Sequence, residues 1–175
     1  MVTYILAALT GLAVIAADRY TKYLVLLNPE QFNGKTFIKG IIDLVYVENG
    51  GGAWGMLSGY TWILISVTAV IMLVCIALML KYGTKNKLMF WAMALVLSGG
   101  IGNMIDRISR GGYVVDFLHF TFFKDFPVFN VADIAIVIGA MLLILYFIVS
   151  MIKEEKAKKT AVVSAPESDR NDSDK

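Results

Sequence analysis

The chain has 175 residues, of which 58% are hydrophobic and only 17% charged, with 16 Lys and Arg against 14 Asp and Glu. A soluble domain carries roughly 25% charged residues, so a mean hydropathy of +0.68 excludes an ordinary globular core and makes the chain an integral membrane protein. One cysteine and one histidine exclude an intrachain disulfide and a Cys/His zinc site.

A transmembrane helix needs about 20 mostly apolar residues, and four segments qualify. The first runs from about Val2 to Leu27, polar only in its last third, at DRYTK (18–22). Its start, MVTYIL, lacks the basic region of a cleaved signal peptide, so the segment is read as a retained span. Residues 28–60 follow as a long loop. Asn33-Gly34 predicts a two-residue hairpin there, and TFIKGIIDLVYVE is rich in β-branched and aromatic residues. Together they predict a small β-rich cradle lying on the membrane surface.

The second span covers about Thr61–Leu80, with Cys75 as a small core or lipid-facing residue. The third covers about Leu88–Ile105 and the fourth about Val131–Ile152, separated by a second long loop, 106–129. His119 in that loop reads as an interfacial residue. Lys81, Lys85 and Lys87 lie between spans two and three, and Lys153, Lys156, Lys158 and Lys159 follow span four. Basic loops stay in the cytoplasm. Both termini are therefore expected there, with the two long loops outside and residues 153–175 forming a charged, disordered cytoplasmic tail. The fold class is an all-α membrane protein, four transmembrane helices with an extracytoplasmic β-rich cradle.

Polar groups near spans are costly and need a reason. Asp18 and Lys22 close span one, Asn49 and the glycines of ENGGGAWG open span two, Asn103, Asp106 and Arg107 close span three, Asp116 follows, and Asn130 and Asp133 open span four. All fall at the outward end, so the spans bring their polar ends to one membrane level. Each has a plain alternative. Asp18 and Lys22 are spaced for an i,i+4 ion pair, Asn130 and Asp133 fit an N-cap and N3, and the glycines at 50–52 suit a turn. Asp106 beside Arg107 reads as a charge network holding the outer end together.

The inventory sorts the chemistry. No serine stands in a nucleophile-elbow setting, GGGAWG lacks the residues of a phosphate loop, and metal hydrolysis lacks ligands other than carboxylates. Two close aspartates, by contrast, share one proton; the ionised member can take a proton from water while the other polarises a peptide carbonyl. Asp18 and Asp106 have basic neighbours in sequence. Asp116, among Val114, Val115 and Phe117, and Asp133, between Ala132 and Ile134, have none, and rank first as the pair.

Read together, D18-R-Y-T-K22, N49-G-G-G-A-W-G55, G99-G-I-G-N-M-I-D-R107, V114-V-D-F117 and F129-N-V-A-D133 resemble signal peptidase II, the bacterial lipoprotein signal peptidase, over roughly residues 10–150. The resemblance implies an intramembrane aspartyl endopeptidase with residues 1–152 as its transmembrane domain. Its catalytic aspartates match Asp116 and Asp133. Its support and substrate-binding positions match Asp18, Lys22, Asn49, Gly51, Asn103, Asp106, Arg107, Asn130 and Ala132. The implied substrate is a diacylglyceryl-modified prolipoprotein, cut just before the lipidated cysteine, in the bacterial cytoplasmic membrane near its extracytoplasmic face. Membrane lipid is an implied partner; a monomer is expected, with no cofactor, no metal and no nucleic acid. Two positions depart from the family pattern: Gly52 stands where Ala is more frequent, and Trp54 where Phe is common. A transporter using the same carboxylates, or a noncatalytic scaffold, are the alternatives. The transporter would need polar residues through the membrane depth, and span two is uncharged from Thr61 to Leu80.

Overall fold

A computed structural model describes residues 1–83 and 85–164, with side chains up to 160. Four helices are long and apolar enough to cross a membrane: α1 (Val2–Leu27), α3 (Thr61–Tyr82), α4 (Lys87–Ser109) and the first 30 residues of α5 (Val131–Ser164). A single turn, α2 (Pro29–Phe32), leads from α1 into strand β1 (Lys35–Ile38), followed by β2 (Ile42–Asn49). Strand β3 (Val114–Phe120) lies between α4 and α5. The fold class expected from composition is the one observed, and the chain is a multi-pass membrane protein.

Helix α4 is the hub, packing against α1, α3 and α5. Without a hydrophobic driving force in lipid, helices associate through close backbone approach at small residues. Helix α4 supplies them at Ala92, Ala94, Ser98, Gly99, Gly100 and Gly102, and half of its span is buried, against 6% for α3. Gly99 and Gly102 have no space for a side chain: a Cβ at Gly99 would run into the Ala132 backbone oxygen, and one at Gly102 would stand 2.7 Å from Asp18 Oδ2. The large exposed residues of the other helices, such as Leu73, Leu80, Ile144 and Met151, suit acyl chains.

The three strands form one antiparallel sheet in the order β1-β2-β3, with Val47 opposite Asp116 and Asn49 opposite Val114. Val25 at the end of α1 joins Ile42, Val115, Phe117 and Leu118 in a small core that seats the sheet on the bundle. The expected hairpin at Asn33-Gly34 is corrected. Those residues precede β1, and the β1–β2 connection is made at Lys39–Ile41 with Gly40 at φ 76°. Asn33 instead accepts a hydrogen bond from the Tyr46 backbone N–H at 2.7 Å, and Gly34 (φ 78°) donates to the Leu44 carbonyl. Gly34 thus supplies the left-handed residue that begins β1 rather than the turn that ends it.

Helix α5 continues past the hydrophobic stretch to Ser164, so residues 153–164, read from sequence as part of a disordered tail, are helical. EEKAKK consists of strong helix formers, and Glu155 and Lys159 form an i,i+4 ion pair at 2.7 Å. The rest of that tail, 165–175, lies outside the described residues.

The packing of α4 gives a paired test. Gly99→Ala is expected to destabilise the protein by about 2 kcal/mol through overpacking against backbone. Gly100→Ala meets only the flexible Met72 and Thr68 side chains and should change stability by less than about 1 kcal/mol. Reversible unfolding in detergent micelles measures both; equal losses would refute the close α4–α5 approach.

Candidate active site

Five pieces of chain meet at one end of the bundle. The last turns of α1 bring Asp18, Arg19 and Lys22, the end of β2 brings Asn49, the last turns of α4 bring Asn103, Asp106 and Arg107, β3 brings Asp116, and the cap and first turn of α5 bring Asn130 and Asp133. Positive-φ glycines, Gly111 (φ 62°) and Gly112 (φ 106°), reverse the chain between α4 and β3, which keeps Asp116 close to the helix end.

At the base lies a buried ion network. Lys22, 1% exposed, places its ammonium 3.1 Å from Asp18 Oδ2, 2.9 Å from Asp106 Oδ2 and 3.0 Å from Asn103 Oδ1. Arg19 bridges the same two aspartates, at 3.0 Å to Asp18 and 2.7 Å to Asp106. Arg110 adds a contact to Asp106 at 3.2 Å. Asp18 also accepts from the Ala132 backbone N–H at 3.1 Å, and Asp106 from that of Val115 at 3.3 Å. The i,i+4 pair read from sequence is therefore present, within a larger network.

The expected Asp106–Arg107 association is corrected. Successive helix residues do not face each other. Asp106 turns to Lys22, Arg19 and Arg110, while Arg107 lines a cavity; its Nε has no hydrogen-bond partner among the described residues. Sequence reasoning missed Arg19 and Arg110. Arg19 was legible as a charge inside a span beside Asp18, and Arg110 as a cation four residues after Asp106.

From Lys22 the network passes to the two remaining aspartates. The Asn103 carbonyl oxygen accepts from Lys22 and from Asn130 Nδ2 at 3.0 Å, so its amide nitrogen is left to donate to Asp133 Oδ1 at 2.7 Å. Asn130 donates to Asp116 Oδ1 at 2.6 Å, and Asn49 donates to Asp116 Oδ2 at 2.8 Å. Gly51 N–H holds the Asn49 carbonyl oxygen at 3.0 Å, which orients that amide. Asn130 and Asp133 also form a reciprocal capping box: Asn130 Oδ1 accepts from the Asp133 N–H, and Asp133 Oδ2 from the Asn130 N–H, both at 3.0 Å. Capping and site construction are the same contacts.

Asp116 and Asp133 face a common cavity of about 500 Å³, with Arg107, Asn49 and Asn103 on its polar side. Its apolar side is Ile134, Val137, Ile138 and Met141, a helical stripe running down α5 into the membrane span. The Asp116 carboxyl is pushed up to about 7, first by burial and then by the negative charge of Asp133, against the Asn49 and Asn130 hydrogen bonds and the Lys22 charge. The charge of Asp133 thus bears directly on the proton affinity of Asp116.

Of the eleven residues singled out from the sequence, Asp18, Lys22, Asn49, Gly51, Asn103, Asp106, Asp116, Asn130, Ala132 and Asp133 are joined by hydrogen bonds or ion pairs. Arg107 shares the cavity without a bond to them. His119 is apart from this group, its Nε2 3.3 Å from the Lys124 carbonyl oxygen. No cluster of His, Cys, Asp and Glu suited to a metal ion occurs among the described residues.

Residues 10–149 match the family model of signal peptidase (SPase) II. The chain is 40% identical over 144 residues to the lipoprotein signal peptidase of Clostridium acetobutylicum, covering 81% of this chain and 91% of the relative. It is 45% identical over 130 residues to that of Caldanaerobacter subterraneus, covering 74% and 87%. Two solved bacterial membrane enzymes superpose with TM-scores of 0.76 and 0.72, each at 32% identity. The first covers 86% of this chain and 90% of its own, the second 84% and 93%.

Replacing Lys22 tests the base of the site. Lys22→Met leaves Asp18 and Asp106 short of a buried cation and is expected to cost about 3 kcal/mol of stability, measured by equilibrium unfolding in micelles. A loss below about 1 kcal/mol, the range of an exposed pair, would refute the network as a stabilising element.

Proposed function

Because the chain belongs to the signal peptidase II family, whose members are proteases of lipoprotein processing, we propose that it is an intramembrane aspartyl endopeptidase with Asp116 and Asp133 as its catalytic pair. The observation that carries this reading is Asn130, which bonds both carboxylates on the wall of one cavity. In the proposed reaction the ionised carboxylate takes a proton from water, and the water oxygen attacks the peptide carbonyl carbon. The protonated carboxyl hydrogen-bonds the carbonyl oxygen as it gains charge. Collapse of the tetrahedral adduct breaks the C–N bond, and a proton from the pair goes to the leaving nitrogen. Arg107 supplies positive charge to the same wall.

The substrate in this reading is a prolipoprotein whose cysteine carries diacylglycerol, cut before that cysteine. The apolar stripe of α5 favours it, since a lipid-anchored peptide must bring acyl chains and scissile bond to one depth. Lys81, Lys85, Lys87 and the lysines after span four favour cytoplasmic termini and a site near the extracytoplasmic face of a bacterial cytoplasmic membrane. The protein is proposed to act as a monomer, with residues 1–152 as the catalytic domain. The carboxylates gather at one end of the bundle rather than along a path through it, which argues against a transporter.

Asp116→Asn and Asp133→Asn are each expected to leave a folded protein whose cleavage of a diacylglyceryl-modified precursor falls by at least about 10³-fold. Near-normal processing by either variant would remove that residue from the pair, and a precursor lacking diacylglycerol cleaved equally well would make the protein a general peptidase.

The raised Asp116 value fixes the sign of a pH dependence. The proton is held below about 7 and lost as pH rises through it, so kcat/KM should fall on the alkaline side with a midpoint near pH 7. Asn49→Ala removes a donor that favours the charged form and should move this limb to higher pH. A limb that stays in place would exclude Asp116 as the titrating group.

A further inference from the structure

A second cavity, of about 240 Å³, adjoins the first. Asn49, Gly52, Asp116, Pro127 and Val128 belong to the walls of both, so Asp116 stands at the boundary. The two spaces differ in kind. The larger one is walled by α5 residues down to Met141 in the span; the smaller is walled by β2, the glycine loop and the segment before α5, with no α5 residue among the described ones.

The smaller cavity is a partly open cleft bounded by three features. Val47 is paired with Asp116 across the sheet and so points to the same sheet face. Gly51 has no space for a side chain, since a Cβ there would lie 2.6 Å from the Gly55 carbonyl oxygen. Trp54 forms the roof in a left-handed conformation (φ 55°), with its indole N–H bonded to the Asp125 carbonyl at 3.0 Å and its ring edge-on to Phe126 at 6.5 Å. Trp54 is thereby tied to the residues that lead into Pro127 and Val128.

The topology of the substrate sorts its parts between the spaces. The apolar segment of a signal peptide and the diacylglyceryl group both belong in hydrocarbon. Only the polypeptide that follows the cysteine must leave the membrane from the cleavage point. We propose that the smaller cavity is the subsite for the residue directly after the lipidated cysteine, and that its fixed walls select a small side chain there. This rests on the proteolytic reading above. The space must hold peptide backbone as well as side chain, and Val47, Trp54 and Val128 are the groups that limit the remainder.

The test uses full-length enzyme and lipidated precursors that differ only at that residue. Serine there should give a kcat/KM at least about tenfold above tryptophan, and moving the tryptophan four residues further on should restore the serine value. Val47→Ala and Trp54→Ala widen the wall and the roof, and each should narrow the ratio to under about threefold. A photoreactive diazirine residue at the same position should label residues 47–58 or 127–128 in the unmodified enzyme. A wild-type ratio near one, a ratio unmoved by both variants, or labelling confined to 134–141 overturns the assignment. Failure of wild-type enzyme to cleave the serine precursor would instead count against the proteolytic reading itself.

Discussion

The buried ammonium of Lys22 is the contact on which the site depends. A charge withdrawn from water must be paired and hydrogen-bonded. Here one cation answers Asp18, Asp106 and the Asn103 carbonyl at once. The third contact makes the ion cluster more than a staple. By holding the oxygen of Asn103 it forces the amide nitrogen toward Asp133, and Asn130 carries the same ordering to Asp116. Asp116 and Asp133 are therefore oriented by charges that do not touch them, through asparagines that cannot themselves ionise.

Close helix packing makes this geometry possible. Asp18 reaches the Ala132 N–H only because Gly102 leaves the space between α1, α4 and α5 open. The first turn of α5 thus has its orphan N–H groups satisfied by Asp18 on another helix as well as by its own cap. Small residues in α4 and carboxylates in α1 and α5 belong to one design. The glycines bring the backbones together, and the polar side chains fill what remains.

Much of this was legible in the sequence because the bilayer restricts what a chain can hide. Four apolar runs gave four spans, and polar residues confined to their ends gave the level of the site. Local spacing gave the Asp18–Lys22 pair and the Asn130–Asp133 cap. Partners chosen across helices were not legible. Asp106 has Arg107 beside it in sequence, yet bonds to Arg19 on α1, 87 residues away. Which neighbour wins depends on helix rotation, which no local pattern records. The Asn33-Gly34 signal was sound as a left-handed turn but silent on which side of β1 it would fall. The length of α5 was underestimated because hydropathy marks where lipid contact ends, not where helix propensity ends.

Helix α5 carries a mechanical consequence. With 34 residues in one unbroken rod, it is about 50 Å long. Its first turn is clamped by bonds from Asp18, Asn103 and Asn130. Gly139, two turns further on, lies against Ala92 and Val96 of α4 with no space for a side chain, so α5 is fixed along α4 and does not lean on its own. A bundle held this way adjusts to thinner or thicker bilayers by leaning as a whole. Leaning by about 10° carries the far end of so long a rod through roughly 9 Å, while the bonds among Asp18, Asn103, Asn130 and Asp133 travel together and keep their lengths.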